Sequence, residues 1–141
     1  MVGAFHMPKL VYMNLSVLKT LSNRQFCSGM GEIIKHGLIK NAPYFTWLKE
    51  NESKIASLDL QTVGEMIYES NIVKKNVVEN DPTEKGERAL LNFGHTLGHA
   101  IEKYMNFEFL HGECVFIGCA LASIISYKKG NITEAELRDI L

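Results

Sequence analysis

Side chains that could do chemistry are concentrated between residues 88 and 105. At about 100° per residue, a helix here would bring four of them within about 60° of one another: Arg88, Asn92, His95 and His99. Solvated helix faces mostly carry Lys, Glu and Gln, which are good helix formers. This stripe instead carries directional hydrogen-bond donors and two imidazoles that titrate near neutrality, so we interpret it as a functional face.

The same predicted helix has an apolar side, which we expect to face the core. Its members are Leu90, Phe93, Leu97, Ala100, Ile101 and Tyr104. Gly94 and Gly98 flank the polar stripe, although each glycine costs about 1 kcal/mol relative to alanine inside a helix. Residues this small indicate close approach by another element or by a ligand, and a Gly-x-x-x-Gly spacing more often means close helix packing.

His95 and His99 also have the i, i+4 spacing of a metal-binding histidine pair. Thr96 stands where zinc proteases carry their catalytic Glu, so that mechanism is not indicated. Further candidate ligands are His111, at the start of the next predicted helix, and Glu32. Three ligands and an open position would make a catalytic zinc site. Alternatively, His111 is a turn residue and Glu32 is a surface carboxylate paired with Lys35.

Helical patterns predict the elements that position these residues. We expect helices over 22–40, 44–50, 59–79, 88–105 and 111–129, with another beginning at Thr133. Ser22 is the expected cap of the first helix, Asn14 or Ser16 could cap an earlier turn, and Thr133 forms a capping box with Glu136. Leu10–Met13 follows Pro8 and is predicted to form a short strand.

The fold class predicted from these patterns is mainly α. We divide the chain into residues 1–13, a linker and strand stub, and residues 14–141, a helical domain cut off at its C-terminal end. The expected core residues are Met30, Trp47, Met66 and Phe116, together with the thiols of Cys114 and Cys119. His6 and His36 are interpreted as packing or surface residues rather than ligands.

Composition excludes several function classes. The 141 residues include 15 Lys and Arg against 16 Asp and Glu, so no basic surface for nucleic acid is indicated. The longest uncharged run, 114–127, is 14 residues and falls short of the roughly 18 needed to span a membrane. Three cysteines without a C-x-x-C pair, and no signal peptide, favour a reducing, cytoplasmic location.

Three motifs resemble the 3-dehydroquinate synthase family, in order and with similar spacing. They are GEIIKHG at 31–37, RALLNFGHTLGHA at 88–100 and HGE at 111–113, and the opening GAFHMP at 3–8 resembles the link between the two domains of the family. The resemblance implies a C-terminal helical domain that carries the metal and most substrate contacts. It also implies a missing N-terminal Rossmann-like α/β domain that carries most of the NAD site.

The resemblance assigns roles to individual residues. The metal ligands for Zn²⁺ or Co²⁺ would be Glu32, His95 and His111, with Lys35 beside them as a substrate-binding lysine. The remaining matches are Lys74 and Arg88 to the substrate carboxylate, Asn92 and His99 to the phosphate, and Val17, Leu18, Lys19 and Thr20 to NAD. His99 could also move protons near neutral pH.

The implied reaction converts 3-deoxy-D-arabino-heptulosonate 7-phosphate to 3-dehydroquinate and phosphate in the shikimate pathway. NAD⁺ is reduced and then regenerated, so it acts catalytically. Because the Rossmann-like domain and the last helices are missing, we expect no turnover by the chain alone. Members of the family are commonly homodimers, so a second copy of the chain is a candidate partner.

Two other functions stay open. Another sugar phosphate cyclase would share the metal ligands but differ where the substrate carboxylate and phosphate bind, and the presence of Arg88, Asn92 and His99 together favours the dehydroquinate branch. A non-catalytic helical binding module would not need the ligand set Glu32, His95 and His111.

Overall fold

The chain is described by a computed structural model covering residues 3, 4, 6 and 8–141. Every regular element in these residues is a helix, which confirms the mainly α prediction. Two are 3₁₀ helices, Leu15–Thr20 and Glu87–Asn92. The others are α1 (Asn23–Lys40), α2 (Ala42–Glu50), α3 (Glu52–Ala56), α4 (Leu60–Asn80), α5 (His95–Tyr104), α6 (His111–Lys128) and α7 (Glu134–Ile140).

Caps read from the sequence explain where several helices begin. Ser22 and Gln25 form a reciprocal capping box at the start of α1, and Thr133 and Glu136 form another at α7. Asn14 caps the first 3₁₀ helix through its side-chain oxygen. Each cap satisfies backbone N–H groups that have no partner inside the helix.

The strand predicted at residues 10–13 is wrong. These residues are irregular and exposed, with Leu10 82% and Tyr12 84% accessible, and the described residues contain no strand that could pair with them. A strand's backbone groups must bond to a neighbouring strand, so the apolar pattern alone does not form one. The predicted linker over 1–13 includes residues 1, 2, 5 and 7, which lie outside the described residues.

The single helix predicted over 88–105 is also wrong. A 3₁₀ helix ends at Asn92, and α5 begins at His95 after Gly94, whose φ is +78°. That left-handed conformation suits glycine and interrupts the helical ladder. A Cβ on Gly94 would lie 2.6 Å from the Cys119 sulfur, so the sharp turn also needs glycine for space.

None of the six residues of the apolar face expected on that helix is buried, and three of them, Leu90, Ala100 and Tyr104, are exposed. Tyr104 is 85% accessible and Leu90 is 40% accessible. The side of α5 that meets α6 is instead its glycine side, where a Cβ on Gly98 would lie 3.0 Å from the Cys114 carbonyl oxygen. Close helix packing was therefore the correct interpretation of the Gly94–Gly98 spacing.

One cluster of the core lies among α1 to α4. It contains Tyr44, Leu48, Ile55, Val63 and Met66, and Met30 and Trp47 pack against it partly buried. The burial predicted for Met66 is confirmed.

On α6, Val115, Cys114 and Cys119 are buried, which confirms the prediction for the two thiols. Phe116 is 49% exposed, so its placement in the core was wrong. Phe116 lies about 100° around the α6 axis from Val115, so its side chain points away from the core that Val115 faces. No helix in the described residues is both long and apolar enough to span a membrane.

Candidate metal centre and anion cleft

Two glycines let α1 and α6 cross in backbone contact. A Cβ on Gly31 would lie 2.2 Å from the Gly112 carbonyl oxygen, and a Cβ on Gly112 would lie 1.8 Å from the Ser28 carbonyl oxygen. Real Cβ atoms never come this close, so the crossing depends on glycine at both positions. The next residue on α1 is Glu32 and the preceding residue on α6 is His111, and the crossing brings their side chains together.

Glu32 lies at the centre of a group of imidazoles. Its Oε1 is 3.5 Å from His95 Nε2 and 3.9 Å from His111 Nε2. The same Oε1 atom is buried and has no hydrogen-bond partner in the described part of the chain. A buried carboxylate oxygen without a partner is costly, which points to a ligand that would satisfy it.

The spacing of these three atoms fits a metal ion. Two ligand atoms that are each about 2.0–2.1 Å from a tetrahedral Zn²⁺ lie about 3.3 Å apart. The two distances from Glu32 are within about 0.6 Å of that value. One carboxylate and two imidazoles are also a donor set that catalytic zinc uses, so these residues could hold the ion.

A second donor set overlaps the first. One ring nitrogen from each of His95, His99 and His111 also lies within 4.8 Å of the others. His99 is exposed, and its ring centroid lies 5.4 Å from that of His95 and 5.7 Å from that of His111. The unpartnered oxygen of Glu32 favours the set that includes the carboxylate.

The protonation states of two candidate ligands, Glu32 and His95, suit metal binding. Burial raises the pKa of Glu32, but the hydrogen bond and charge of Lys35 outweigh this and hold the pKa below its usual value. Burial is the main cause that lowers the pKa of His95. A carboxylate and a neutral imidazole are the ligand-competent forms, so both groups are ready to bind a cation.

Both candidate ligand histidines, His95 and His111, have a further oxygen at their Nδ1 atom. His95 Nδ1 is 3.3 Å from the Phe93 carbonyl oxygen, just before the α5 turn. His111 Nδ1 is 3.4 Å from Glu102 Oε1. An oxygen at Nδ1 favours the tautomer that carries hydrogen there, which leaves the Nε2 lone pair free.

Lys35 is almost fully buried, at 2% exposure, and its charge is compensated. Its Nζ donates to Glu32 Oε2 at 2.6 Å and to the Leu91 carbonyl oxygen at 2.6 Å. An ammonium has three donors, so one remains for a ligand. Lys35 therefore joins α1 to the second 3₁₀ helix and orients Glu32.

Beside the metal candidates lies a cleft of about 230 Å³ with several charged walls. It is lined by Glu32, Lys35, His36, Lys74, Glu84, Arg88, Leu91, Asn92 and His95. Six residues singled out from the sequence thus share one cleft, although Arg88 and Asn92 reach it from a different helix than His95. The three cationic side chains of this lining, Lys35, Lys74 and Arg88, outnumber its two carboxylates, Glu32 and Glu84, so the cleft suits an anionic ligand.

The loop before the second 3₁₀ helix is organised by Asp81, which the sequence analysis missed. The carboxylate of Asp81 accepts backbone N–H groups of Lys85, Gly86 and Arg88 at 2.7–3.0 Å. These hydrogen bonds, of Lys85 first and then Arg88, lower its pKa. Arg88 also donates from Nη1 to the Pro82 carbonyl oxygen at 2.9 Å, which holds the guanidinium end of its side chain.

Glu84 and Glu102 are two further site residues that were not predicted. Glu84 has φ of +56° and accepts a 2.9 Å hydrogen bond from Asn92 Nδ2. Glu102 follows His95 by seven residues on α5, so it lies on the same helix face. That spacing was a usable signal for Glu102, whereas no sequence pattern indicated the loop conformation at Glu84.

Val17, Leu18, Lys19 and Thr20 lie apart from the cleft. They form most of the first 3₁₀ helix, and none of them is among the described residues that line the cleft. Leu18 packs against the core cluster, while the other three are exposed. The structure therefore does not bring this segment into contact with the metal candidates.

Comparisons with known proteins agree on one family. The family described as 3-dehydroquinate synthase C-terminal matches residues 29–141. The 3-dehydroquinate synthases of Aliivibrio fischeri and Clostridium beijerinckii are 43% and 47% identical over 99% and 100% of the chain. The chain spans about two fifths of the length of these relatives, 39% and 41%.

A solved structure is also similar. It is ValA, the 2-epi-5-epi-valiolone synthase of Streptomyces hygroscopicus subsp. jinggangensis 5008, with NAD⁺ and Zn²⁺ bound. The TM-score is 0.88 with 28% sequence identity, covering 99% of this chain and 39% of that one.

Proposed function

The chain belongs to the 3-dehydroquinate synthase family, and we propose that it forms the metal- and substrate-binding part of such a synthase. The reaction would convert 3-deoxy-D-arabino-heptulosonate 7-phosphate to 3-dehydroquinate with release of phosphate, which is a lyase activity. One observation carries the proposal: a buried, unpartnered oxygen of Glu32 faces His95 and His111 at the edge of a cationic cleft.

Glu32, His95 and His111 would hold Zn²⁺, or Co²⁺, through Oε1 and the two Nε2 atoms. The ion would supply Lewis-acid stabilisation of negative charge on substrate hydroxyl oxygens. Lys35 keeps Glu32 ionised and pointing toward the histidines. Its remaining N–H donor is available to the substrate.

Residues that line the cleft, together with His99 outside its lining, would bind the two anionic ends of the substrate. Lys74 and Arg88 suit the carboxylate, because a guanidinium offers paired donors. Asn92 and His99 would contact the phosphate, and the imidazole of His99 could accept or release a proton during the reaction. Asn92 would exchange its bond to Glu84 for the substrate.

NAD would carry the redox step, and most of its binding site would belong to an N-terminal Rossmann-like domain. Residues 14–141 would form the helical domain, with residues 1–13 as part of the link between the two. Val17, Leu18, Lys19 and Thr20 are proposed to touch NAD from the first 3₁₀ helix. We further propose that the enzyme acts in the cytoplasm and that a homodimer is its candidate assembly. We expect no turnover by the chain alone.

A second cyclase activity is favoured by one observation, the similarity to the valiolone synthase at a TM-score of 0.88. Such an enzyme would act on a heptulose phosphate that lacks the carboxylate. Arg88, Asn92 and His99 together favour the heptulosonate, because Arg88 then has a carboxylate to bind.

A chimera tests the substrate. Residues 1–141 would replace the matching segment of the C. beijerinckii synthase, and phosphate release would be measured with NAD⁺, Zn²⁺ and either substrate. We expect release from 3-deoxy-D-arabino-heptulosonate 7-phosphate and none from sedoheptulose 7-phosphate. The reverse preference would support the second cyclase, and release by the isolated chain would contradict its expected inactivity. A folded chimera inactive on both substrates would contradict the proposal and favour a non-catalytic module.

A further inference from the structure

The imidazole of His111 lies between two carboxylates. Its Nε2 is 3.9 Å from Glu32 Oε1, and its Nδ1 is 3.4 Å from Glu102 Oε1. Glu32 belongs to α1 and Glu102 to α5, whereas His111 is the first residue of α6. Each ring nitrogen therefore faces a carboxylate from a different helix.

Glu102 is well placed to restrain this ring. Its side chain is only 18% exposed, while that of His111 is 48% exposed. Within the described residues, His111 is the one charged or polar side chain recorded as a partner of the Glu102 carboxylate. The Glu102 backbone is itself anchored, because its carbonyl oxygen accepts the Phe107 N–H at 2.9 Å.

The ring of His111 needs such a restraint more than that of His95. His95 is held by the Phe93 carbonyl oxygen at the turn that begins α5, and its side chain is only 16% exposed. His111 is half exposed at a helix start, where the adjacent Gly112 offers no side chain to limit rotation. A free imidazole would lose rotational freedom on binding a metal, which weakens the metal affinity.

We propose that Glu102 is a positioning residue that holds His111 with its Nε2 lone pair directed at the metal site. The inference rests on the proposed metal centre. At 3.4 Å the contact has the length of an ion pair and not of a formed hydrogen bond. An Nδ1–H donated to the Glu102 carboxylate in the metal-bound state would fix both the tautomer and the orientation of the ring, and it would make Nε2 a better donor. α5 would then supply His95 as a ligand and, two turns later, Glu102 as the residue that holds the α6 ligand His111.

Metal titration of the full chain tests this role without any activity assay. Zn²⁺ and Co²⁺ affinities and the visible Co²⁺ spectrum would be measured for the unsubstituted chain, Glu102→Ala and Glu102→Gln. The matched control is Glu50→Gln, an exposed glutamate at the end of α2. Thermal unfolding in a chelator would show that each apo variant is folded.

We expect Glu102→Ala to bind Zn²⁺ about 10–100-fold more weakly and to change the Co²⁺ spectrum. Glu102→Gln should recover part of the loss, because its amide oxygen still accepts Nδ1–H, and Glu50→Gln should match the unsubstituted chain. A folded Glu102→Ala chain with unchanged affinity and spectrum would overturn this role alone. No metal uptake by the unsubstituted chain would overturn the proposed centre and this role together.

Discussion

The carbonyl oxygen of Gly112 lies 2.2 Å from the point that a Cβ of Gly31 would occupy. This contact brings the backbones of α1 and α6 together at the point where the two helices cross. Because Glu32 follows Gly31 and His111 precedes Gly112, the crossing itself places the two candidate ligands side by side. The helix packing and the candidate metal ligands are therefore encoded in the same two motifs.

Gly112→Ala should destabilise the chain by about 2–3 kcal/mol, because its Cβ would overlap the Ser28 backbone. Chemical denaturation measures the effect. Gly29→Ala is the matched control on α1, since a Cβ there meets nothing within 4 Å. That variant should be neutral or more stable by up to about 1 kcal/mol. Equal effects of the two substitutions would contradict the close crossing.

Asp81→Ala should loosen the loop that carries Glu84 and Arg88. It removes the acceptor of three backbone N–H groups, at Lys85, Gly86 and Arg88. Hydrogen exchange at these amides should rise at least tenfold, with little change in the core of α4. Glu79→Ala, at an exposed site two residues earlier, should leave the exchange unchanged. Unchanged protection in Asp81→Ala would contradict this organisation.

Acid should destabilise the chain through His36. Its ring is buried and bonded to Ser70 Oγ at 2.7 Å, and burial, then the Lys35 charge, lower its pKa from 6.5 to about 4. Between pH 6.5 and 4 the unfolded chain binds this proton while the folded chain does not. Stability is therefore full above pH 6.5 and falls by up to about 3 kcal/mol toward pH 4.

Denaturation in a chelator from pH 7 to pH 4 tests the titration of His36. His36→Gln should lower stability at pH 7 but show a shallower loss toward pH 4. Parallel pH profiles for the two chains would show that His36 does not account for the dependence.

The three cysteines should differ in reactivity toward iodoacetamide. Cys27 is exposed, whereas Cys114 and Cys119 are buried, and burial raises the pKa of Cys119 to about 11. Intact mass after treatment of the native chain should show one alkylation, and three in denaturant. Fast modification of two or three thiols in the native state would contradict the packing of α6 against α5.

Local chemistry in the sequence predicted most helices and their caps. Asn14, Ser22 and Thr133 act as the N-caps expected from their side chains. The break at Gly94 was missed because periodicity carries no information about a left-handed glycine. Leu10–Met13 was misread because a strand requires a partner, which a local pattern cannot supply.

The residue types of the site were predictable, but its supporting contacts were not. Glu32, His95 and His111 carry distinctive chemistry and specific motifs. Arg88 and Asn92 do share a cleft with Glu32 and His95. The predicted reason, a single helix face, was wrong, because Arg88 and Asn92 belong to a separate 3₁₀ helix. Asp81 and Glu84 act through loop geometry, which depends on long-range packing.

Thermal unfolding of the full chain with and without Zn²⁺ tests the metal centre most directly. At free Zn²⁺ 100 times the dissociation constant, we expect the melting temperature to rise by about 9 °C. Glu32→Gln, His95→Ala and His111→Ala should each abolish the rise, while His99→Ala should keep most of it. No rise in the unsubstituted chain, or a rise lost in His99→Ala and retained in Glu32→Gln, would contradict the Glu32–His95–His111 centre.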